Sequence, residues 1–294
     1  MSKSTKYLIA IALLLVANLW LFFSGESSAT PKAEKYFLAE DLDGISRFLF
    51  VLDQDTVKLE QTGEGWMLNN QYPADEGFVN TLISVLERVE VGRTIDEWNG
   101  DVLGSAEVEF DFNSRYRFQF ATNPTKTKTY FISEGDAKEV AVPGYRDNVA
   151  DIFALHPDQW RDRLIIDGSW RTIQKLNVEK KNDDFEIKFD DTFFLVDGQA
   201  PSDSSVVVNY LNQFQQFQAN EMVSPGRFPQ LDSLLETEPM ATLSIEDIKH
   251  ESPFTLQIYP NLENQGFHLA VDGDGQRMVL DARRVQRILS HPLN

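Results

Sequence analysis

A run of sequence that this chain uses twice constrains its fold more than any other feature. Gly65-Trp66-Met67-Leu68-Asn69-Asn70-Gln71-Tyr72 leads through Pro73-Ala74-Asp75 into Glu76-Gly77-Phe78-Val79-Asn80-Thr81-Leu82-Ile83-Ser84-Val85-Leu86. Later, Phe193-Phe194-Leu195-Val196-Asp197-Gly198 leads through Pro201-Ser202-Asp203 into Val206-Val207-Val208-Asn209-Tyr210-Leu211. The two runs align without a gap over roughly thirty positions, the mark of a repeated supersecondary unit. Each copy reads as a strand, a turn, a capped helix start and an amphipathic helix. Asp75 and Asp203 are the expected N-caps, because a carboxylate there can accept an orphan helical N–H. Glu76 suits the positive helix end. Val79, Leu82, Ile83, Leu86 and Val89, with Phe78 beside them, fall on one face at helical spacing; Val207, Tyr210, Leu211, Phe214 and Phe217 take the same places.

The flanking segments extend the pattern. Ile45 to Val51, Val57 to Glu60 and Trp66 to Leu68 read as three short strands, with Asp53-Gln54-Asp55 and Gly63-Glu64-Gly65 as turns, and Pro73 is expected to stop the sheet. Val108, Phe110 and Phe112, then Tyr116, Phe118 and Phe120, alternate as strands do; Thr129 to Ile132 and Glu139 to Val142 follow. Asp147 is expected to cap a short helix with Val149, Ile152 and Phe153 inward, closed by His156-Pro157. The later half offers strands at Gln174 to Glu179, Phe185 to Phe189, Phe193 to Val196, Ala241 to Ile245, Phe254 to Tyr259, Phe267 to Val271 and Met278 to Leu280. Asp281 caps a last helix with Val285, Ile288 and Leu289 inward, closed by His291-Pro292. Tight turns and alternation favour antiparallel sheets. The fold class is therefore α+β: two duplicated modules, each an antiparallel sheet with a packed helix and a short terminal helix, after an N-terminal transmembrane helix. The divisions are residues 1–24 (anchor or signal peptide), 25–44 (spacer), 45–157 (first repeat), 158–171 (joint) and 172–294 (second repeat).

Composition limits the function classes. Lys3 and Lys6 are the only charges before Glu26, so the rest of the chain carries 25 basic and 46 acidic residues, a net −21. Such a body repels nucleic acid and anionic headgroups. There is no cysteine, which removes disulfides, thiol catalysis and thiolate zinc sites. The 21 phenylalanines, spread through alternating segments, read as core.

Tyr7 to Phe23 is apolar apart from Asn18 and, as a helix, rises about 26 Å, just short of the hydrocarbon thickness. Trp20, Phe22 and Phe23 resemble an interfacial belt, and Lys3 and Lys6 favour an inside N-terminus. Ser27-Ser28-Ala29 leaves a cleaved signal peptide as the competing reading. An uncleaved anchor is favoured by the length of the run and its aromatic end. The expectation is a single-pass protein of a bacterial inner membrane, held through residues 7–23, with a cytoplasmic N-terminus and a periplasmic body.

Three features together resemble the DUF4340 family of bacterial proteins. They are the hydrophobic leader, the W-x-L … P-A-D-x-x-x-V-x-x-L-x-x-L run from Trp66 to Leu86, and Arg161-Asp162-Arg163 after the first half. The likeness covers most of the chain from about Ile45. One departure is Val102-Leu103-Gly104, which only approximates the G-L-x-x-P usual there. The family has no established activity. Its association with ABC-type transport components of the gliding-motility kind implies an auxiliary role in the envelope, with envelope proteins as partners.

Candidate chemistry is sparse. Asp272-Gly273-Asp274-Gly275 invites a calcium reading, but the twelfth place is Arg283 rather than glutamate, and a hairpin turn accounts for it. His156, His250, His268 and His291 lack metal-ligand spacing. No nucleophile elbow, P-loop or dinucleotide fingerprint occurs. Arg161-Asp162-Arg163 reads as a structural ion pair at the joint, with a ligand clamp as the alternative. No residue is singled out as catalytic, cofactor-binding or metal-ligating, and no cofactor is expected. The leading expectation is a non-enzymatic docking or auxiliary component of a transport or motility-related complex. The alternatives are a binding module for a small ligand or polymer at the joint, and a carboxylate-dependent hydrolase.

Overall fold

The structure, a computed structural model, describes residues 34–38, 42, 44–96, 98–110, 114–145, 148–181, 183–261 and 266–293. The apolar run at 7–23, Phe112 and Asp147 lie outside the described residues. Among those described, no helix is long and apolar enough to cross a membrane.

The fold is α+β and sheet-rich. The first half begins with β1 (Glu34–Lys35), β2 (Ile45–Leu52), β3 (Thr56–Thr62), β4 (Gly65–Leu68) and β5 (Tyr72–Pro73), then α1 (Glu76–Leu86). It continues with β6 (Glu90–Ile95), β7 (Gly104–Phe110), β8 (Arg115–Thr122), β9 (Thr129–Ser133), β10 (Asp136–Ala141) and α2 (Ala150–Phe153). A 3₁₀ turn, Pro157–Trp160, and β11 (Leu164–Ile166) lead to the second half. There follow β12 (Ile173–Lys180), β13 (Phe185–Asp190), β14 (Phe193–Val196) and α3 (Ser204–Leu211), which a 3₁₀ turn extends to Phe214. The rest is β15 (Phe217–Gln218), β16 (Glu221–Val223), α4 (Pro229–Asp232), β17 (Ala241–Asp247), β18 (Phe254–Ile258), β19 (Phe267–Asp272), β20 (Arg277–Asp281) and α5 (Ala282–Leu289).

The first sheet runs β1-β6-β10-β9-β8-β7-β2-β3-β4-β5. The second, read from its other edge, runs β16-β20-β19-β18-β17-β12-β13-β14. From β6 to β4 and from β16 to β14 the strand order is the same, and every pairing is antiparallel. The turns before the two long helices are also built alike. Asn69 Oδ1 accepts from Lys58 N at 2.7 Å, and Asp197 Oδ1 accepts from Glu186 N at 2.9 Å. Both turn residues have a φ of 50°, in the left-handed region that short polar side chains tolerate.

Capping follows the expected residues at α1, α3 and α5, whereas α2 has Val149 at its N-cap with no side-chain capping bond. Asp75 Oδ1 accepts from Phe78 N, Asp203 Oδ1 from Ser205 N, and Asp281 Oδ1 from Arg283 N and Arg284 N. Val79, Leu82 and Leu86 of α1 are buried, as are Val207, Tyr210 and Leu211 of α3. Each helix covers one face of its sheet, giving one large hydrophobic cluster per half, and Ala121, Tyr130, Ile132 and Ala137 form a smaller separate cluster in the first half. In the first large cluster, Phe153 of α2 sits among Phe50, Phe118, Phe120 and Phe131 at ring distances of 5.3–5.9 Å.

Two local expectations change. Pro73 does not stop the sheet: it pairs with Met67 at the sheet's edge, where a missing N–H costs nothing. His156-Pro157 does more than close α2. His156 Nδ1 accepts from Asp158 N and so opens the 3₁₀ turn that follows; His291 Nδ1 likewise accepts from Leu293 N. Strands β6 and β16 were not foreseen, since Glu90-Val91-Gly92-Arg93-Thr94-Ile95 lacks clean alternation. Asp75→Ala and Asp281→Ala are each expected to destabilise the body by about 1 kcal/mol, measured by urea unfolding.

Candidate functional site

The joint between the halves is built from the 3₁₀ turn and the extended residues after it. Trp160 is fully buried, its ring 5.8 Å from that of Phe50 and 4.8 Å from that of Phe78. Its carbonyl accepts from Asp75 N at 2.8 Å, Asp162 N donates to the Pro73 carbonyl at 2.9 Å, and Ala74 pairs with Arg161 as an antiparallel bridge. The chain then crosses to the second half, where β11 pairs with β15.

Asp158 anchors the crossing. Its side chain is 1% exposed. Oδ1 accepts from Ser224 Oγ at 2.6 Å; Oδ2 accepts from Ser224 N at 2.8 Å and from Arg227 Nη1 at 3.2 Å. Arg161 Nη1 lies 3.6 Å from Oδ1. The Arg161 guanidinium is itself buried, stacked 3.9 Å over Tyr72 and donating from Nη2 to Gln276 Oε1 at 2.8 Å. Glu221 completes the set, 2.7 Å from Arg227 Nη2. Two guanidiniums, one from the joint and one from the second half, thus face two carboxylates.

An ion pair therefore stands at the joint, but with partners other than the adjacent ones in sequence. Arg161 pairs with Asp158, Arg163 with Asp75 at 3.6 Å, and Asp162 Oδ1 accepts from Leu164 N. Asp75 thus combines its capping role with an ion pair.

Two clefts flank this network, each of about 390 Å³. One lies between Tyr72, Arg161 and the Asp272–Gln276 hairpin, with His250 and Glu251 on its rim. Burial pushes the Asp272 carboxyl up, although the N–H groups of Gln276 and Asp274 donate to it and pull the other way. Those bonds make Asp272 the organiser of the β19–β20 turn, as the hairpin reading expects. Asp53-Gln54-Asp55 likewise turns between β2 and β3. The second cleft lies between Asn69, His156 and Pro225. Among the described residues, no group of three or more His, Asp or Glu could hold a metal ion. His268 Nδ1 is 2.9 Å from the Tyr259 carbonyl, and His291 Nε2 is 3.0 Å from Asp197 Oδ2.

A larger feature escaped the sequence. The face of the first sheet turned away from α1 carries a trough of about 1180 Å³. Leu49, Val51, Val102, Trp98 and Ile132 contribute its apolar lining. Val51 is 42% exposed and Val102 39%. At one end Glu107 accepts from Arg117 Nε at 2.6 Å, Arg47 Nη2 at 2.9 Å and Arg115 Nη1 at 3.3 Å. Burial works against the Glu107 charge, but the Arg117 bond and charge, the Arg115 charge and the Arg47 bond outweigh it and hold the carboxyl below its usual range. The signal was faint because outward residues of a strand alternate with core residues and read as ordinary surface.

No protein-family model, curated protein or solved structure matches the chain.

Asp158→Ala leaves two guanidiniums facing one fewer carboxylate and is expected to cost about 3–5 kcal/mol in urea unfolding. Glu107 has a depressed pKa, so its stabilisation is present above the unfolded-state value and is lost as pH falls through the folded one. Glu107→Gln should therefore lower the urea midpoint at neutral pH, and its difference from the parent should shrink as pH falls below the ordinary carboxylate range.

Proposed function

We propose that this chain is a non-enzymatic protein of the bacterial inner membrane, anchored through residues 7–23, whose periplasmic body docks on other envelope proteins. A duplicated pair of α+β modules, residues 45–157 and 172–294 about a joint at 158–171, forms that body. The shared strand order and the matching turns at Asn69 and Asp197 support the duplication. The DUF4340 resemblance favours a transport or motility-related complex as the partner.

The trough on the first sheet carries the docking reading. It is larger than the usual small-ligand pocket of about 300–1,000 Å³, open, and lined in part by the exposed Val51 and Val102, beside a cluster in which Arg47, Arg115 and Arg117 face Glu107 and Glu109. Exposed apolar patches rimmed by polar residues mark protein-binding surfaces. The joint supports the same reading from the other side, since Arg161 and Arg227 already have protein partners. One observation favours a small ligand at the joint instead: the Asp272 carboxyl, half-buried beside Arg161, lines a cleft of ligand size.

Crosslinking and pull-down from membranes test the proposal. The full chain is expected to recover an envelope partner, and Val51→Asp with Val102→Asp should reduce recovery at least tenfold without shifting thermal unfolding. Recovery of the protein alone would sink the docking reading. N-terminal sequencing of the mature chain tests the anchor: a start at Met1 or Ser2 is expected, and a start at Thr30 would end it.

A further inference from the structure

The two halves differ in the connection that reaches the outward face of each sheet. Strands β6 and β7 hold the places in the first sheet that β16 and β17 hold in the second, with the same number of strands between them. In the second half the connection is residues 224–240 and forms α4, followed by the 3₁₀ turn Ser233–Glu236. Asp232 of α4 pairs with Arg277 of β20. Arg277 is next to the core residue Met278, so its side chain leaves by the opposite, outward face. Val223, its cross-strand neighbour, and Leu269 of β19 also flank core residues and point outward, yet both are buried. That face is therefore covered, and Leu231, Leu234 and Leu235 of the connection are themselves partly buried. The first half spans the same strands with residues 96–103, a shorter run with no helix among the described residues. Trp98 settles over Tyr130, 4.7 Å between rings, beside the small cluster of Ala121, Ile132 and Ala137. Beyond it, over β8, β7 and β2, the trough lies open with Val51 and Val102 exposed.

We propose that the trough takes a short amphipathic segment of a partner protein, with aliphatic residues against Val51 and Val102 and a carboxylate on Arg117. The segment gives the first sheet the kind of cover, and the kind of Asp–Arg contact, that the second half makes with its own α4. The inference rests on the docking reading above. Charge selects the carboxylate. The Arg117 side chain is 65% exposed, whereas Glu107 and Glu109 lie beneath the three arginines at 15% and 18%. A body of strongly negative net charge thus presents guanidinium at this end of the trough. The other end carries Glu134 and Asp136 at the β9–β10 hairpin, with Lys138 beside them, so the acidic residue of the segment belongs at Arg117. A second copy of this chain does not offer its own α4, because Asp232 is held by Arg277 and by the Gly226 N–H at 2.9 Å. Residues 1–33 hold one acidic residue, Glu26, and residues 24–33 around it contain no leucine, isoleucine, valine or phenylalanine.

The probe is a synthetic peptide with the sequence of residues 228–236, which carries aliphatic and acidic side chains in the spacing that the second half uses. It is labelled at its N-terminus and titrated by fluorescence anisotropy against the full-length protein in detergent, with detergent alone as the blank. Saturable binding above the blank is expected. Val51→Asp with Val102→Asp should weaken it about tenfold, as for a charge buried among apolar groups. Arg117→Ala should weaken it about two- to fivefold, as for an exposed ion pair, and Arg117→Lys should weaken it less. Asp232→Asn with Glu236→Gln in the peptide should cause at least the same loss, and Arg117→Ala should then have no further effect. Absence of saturable binding, or binding that the trough variants or Arg117→Ala leave untouched, overturns the proposal. Partner recovery from membranes separates this outcome from the docking reading. Recovery lost with Val51→Asp and Val102→Asp but kept with Arg117→Ala, together with no peptide binding, leaves docking standing and removes only the acidic segment.

Discussion

The Asp158 carboxylate is the interaction on which the arrangement of the molecule depends. It stands at the start of the joint, and its hydrogen bonds come from the second half, through Ser224 and Arg227. Removing a carboxylate from water is costly, and the cost is met only when its lone pairs are filled by well-placed donors. Here they are filled by a backbone N–H, a hydroxyl and guanidinium groups. The position of the 3₁₀ turn then fixes Trp160 in the first core and aims Arg161 at Tyr72 and Gln276. One short segment therefore closes the first core, adds to the edge of its sheet and ties it to the second.

This geometry sets what the joint can do. A binding cleft needs polar groups left free to meet a ligand. The strongest charges at the joint instead meet one another, and what stays open on either side is small and largely polar. The broad apolar surface lies elsewhere, on the outward face of the first sheet. The two halves, alike in strand order, thus differ in what they leave exposed. The first extends its sheet through β5 at Pro73 and bridges Ala74 to Arg161; the second sheet ends at β14.

Much of the fold was legible because it is local. Caps at Asp75, Asp203 and Asp281, hairpins at Asp53–Asp55 and Asp272–Gly275, and the inward faces of both long helices are set by residues within a few positions of one another. The partners of Arg161 were not legible. Asp162 is its neighbour in sequence, but extended backbone points adjacent side chains to opposite sides, and the true partner lies one turn earlier at Asp158. Ser224, Arg227 and Gln276 reach the joint only through the tertiary fold. The trough was hidden for a related reason: Leu49 and Val51 sit on the face opposite Phe48 and Phe50, and a continuous apolar strand does not say which face is covered.

The central claim is that the joint is a structural clamp and does not open as a cleft. Hydrogen exchange of the amides at Asp75, Asp162 and Ser224 tests it most directly, because each donates into the joint, to the Trp160 carbonyl, the Pro73 carbonyl and the Asp158 carboxylate. The account expects these amides to exchange as slowly as those of the central strands β2 and β12, through opening of the whole body. Exchange orders of magnitude faster, with β2 and β12 still protected, would show the halves parting under native conditions and would contradict it.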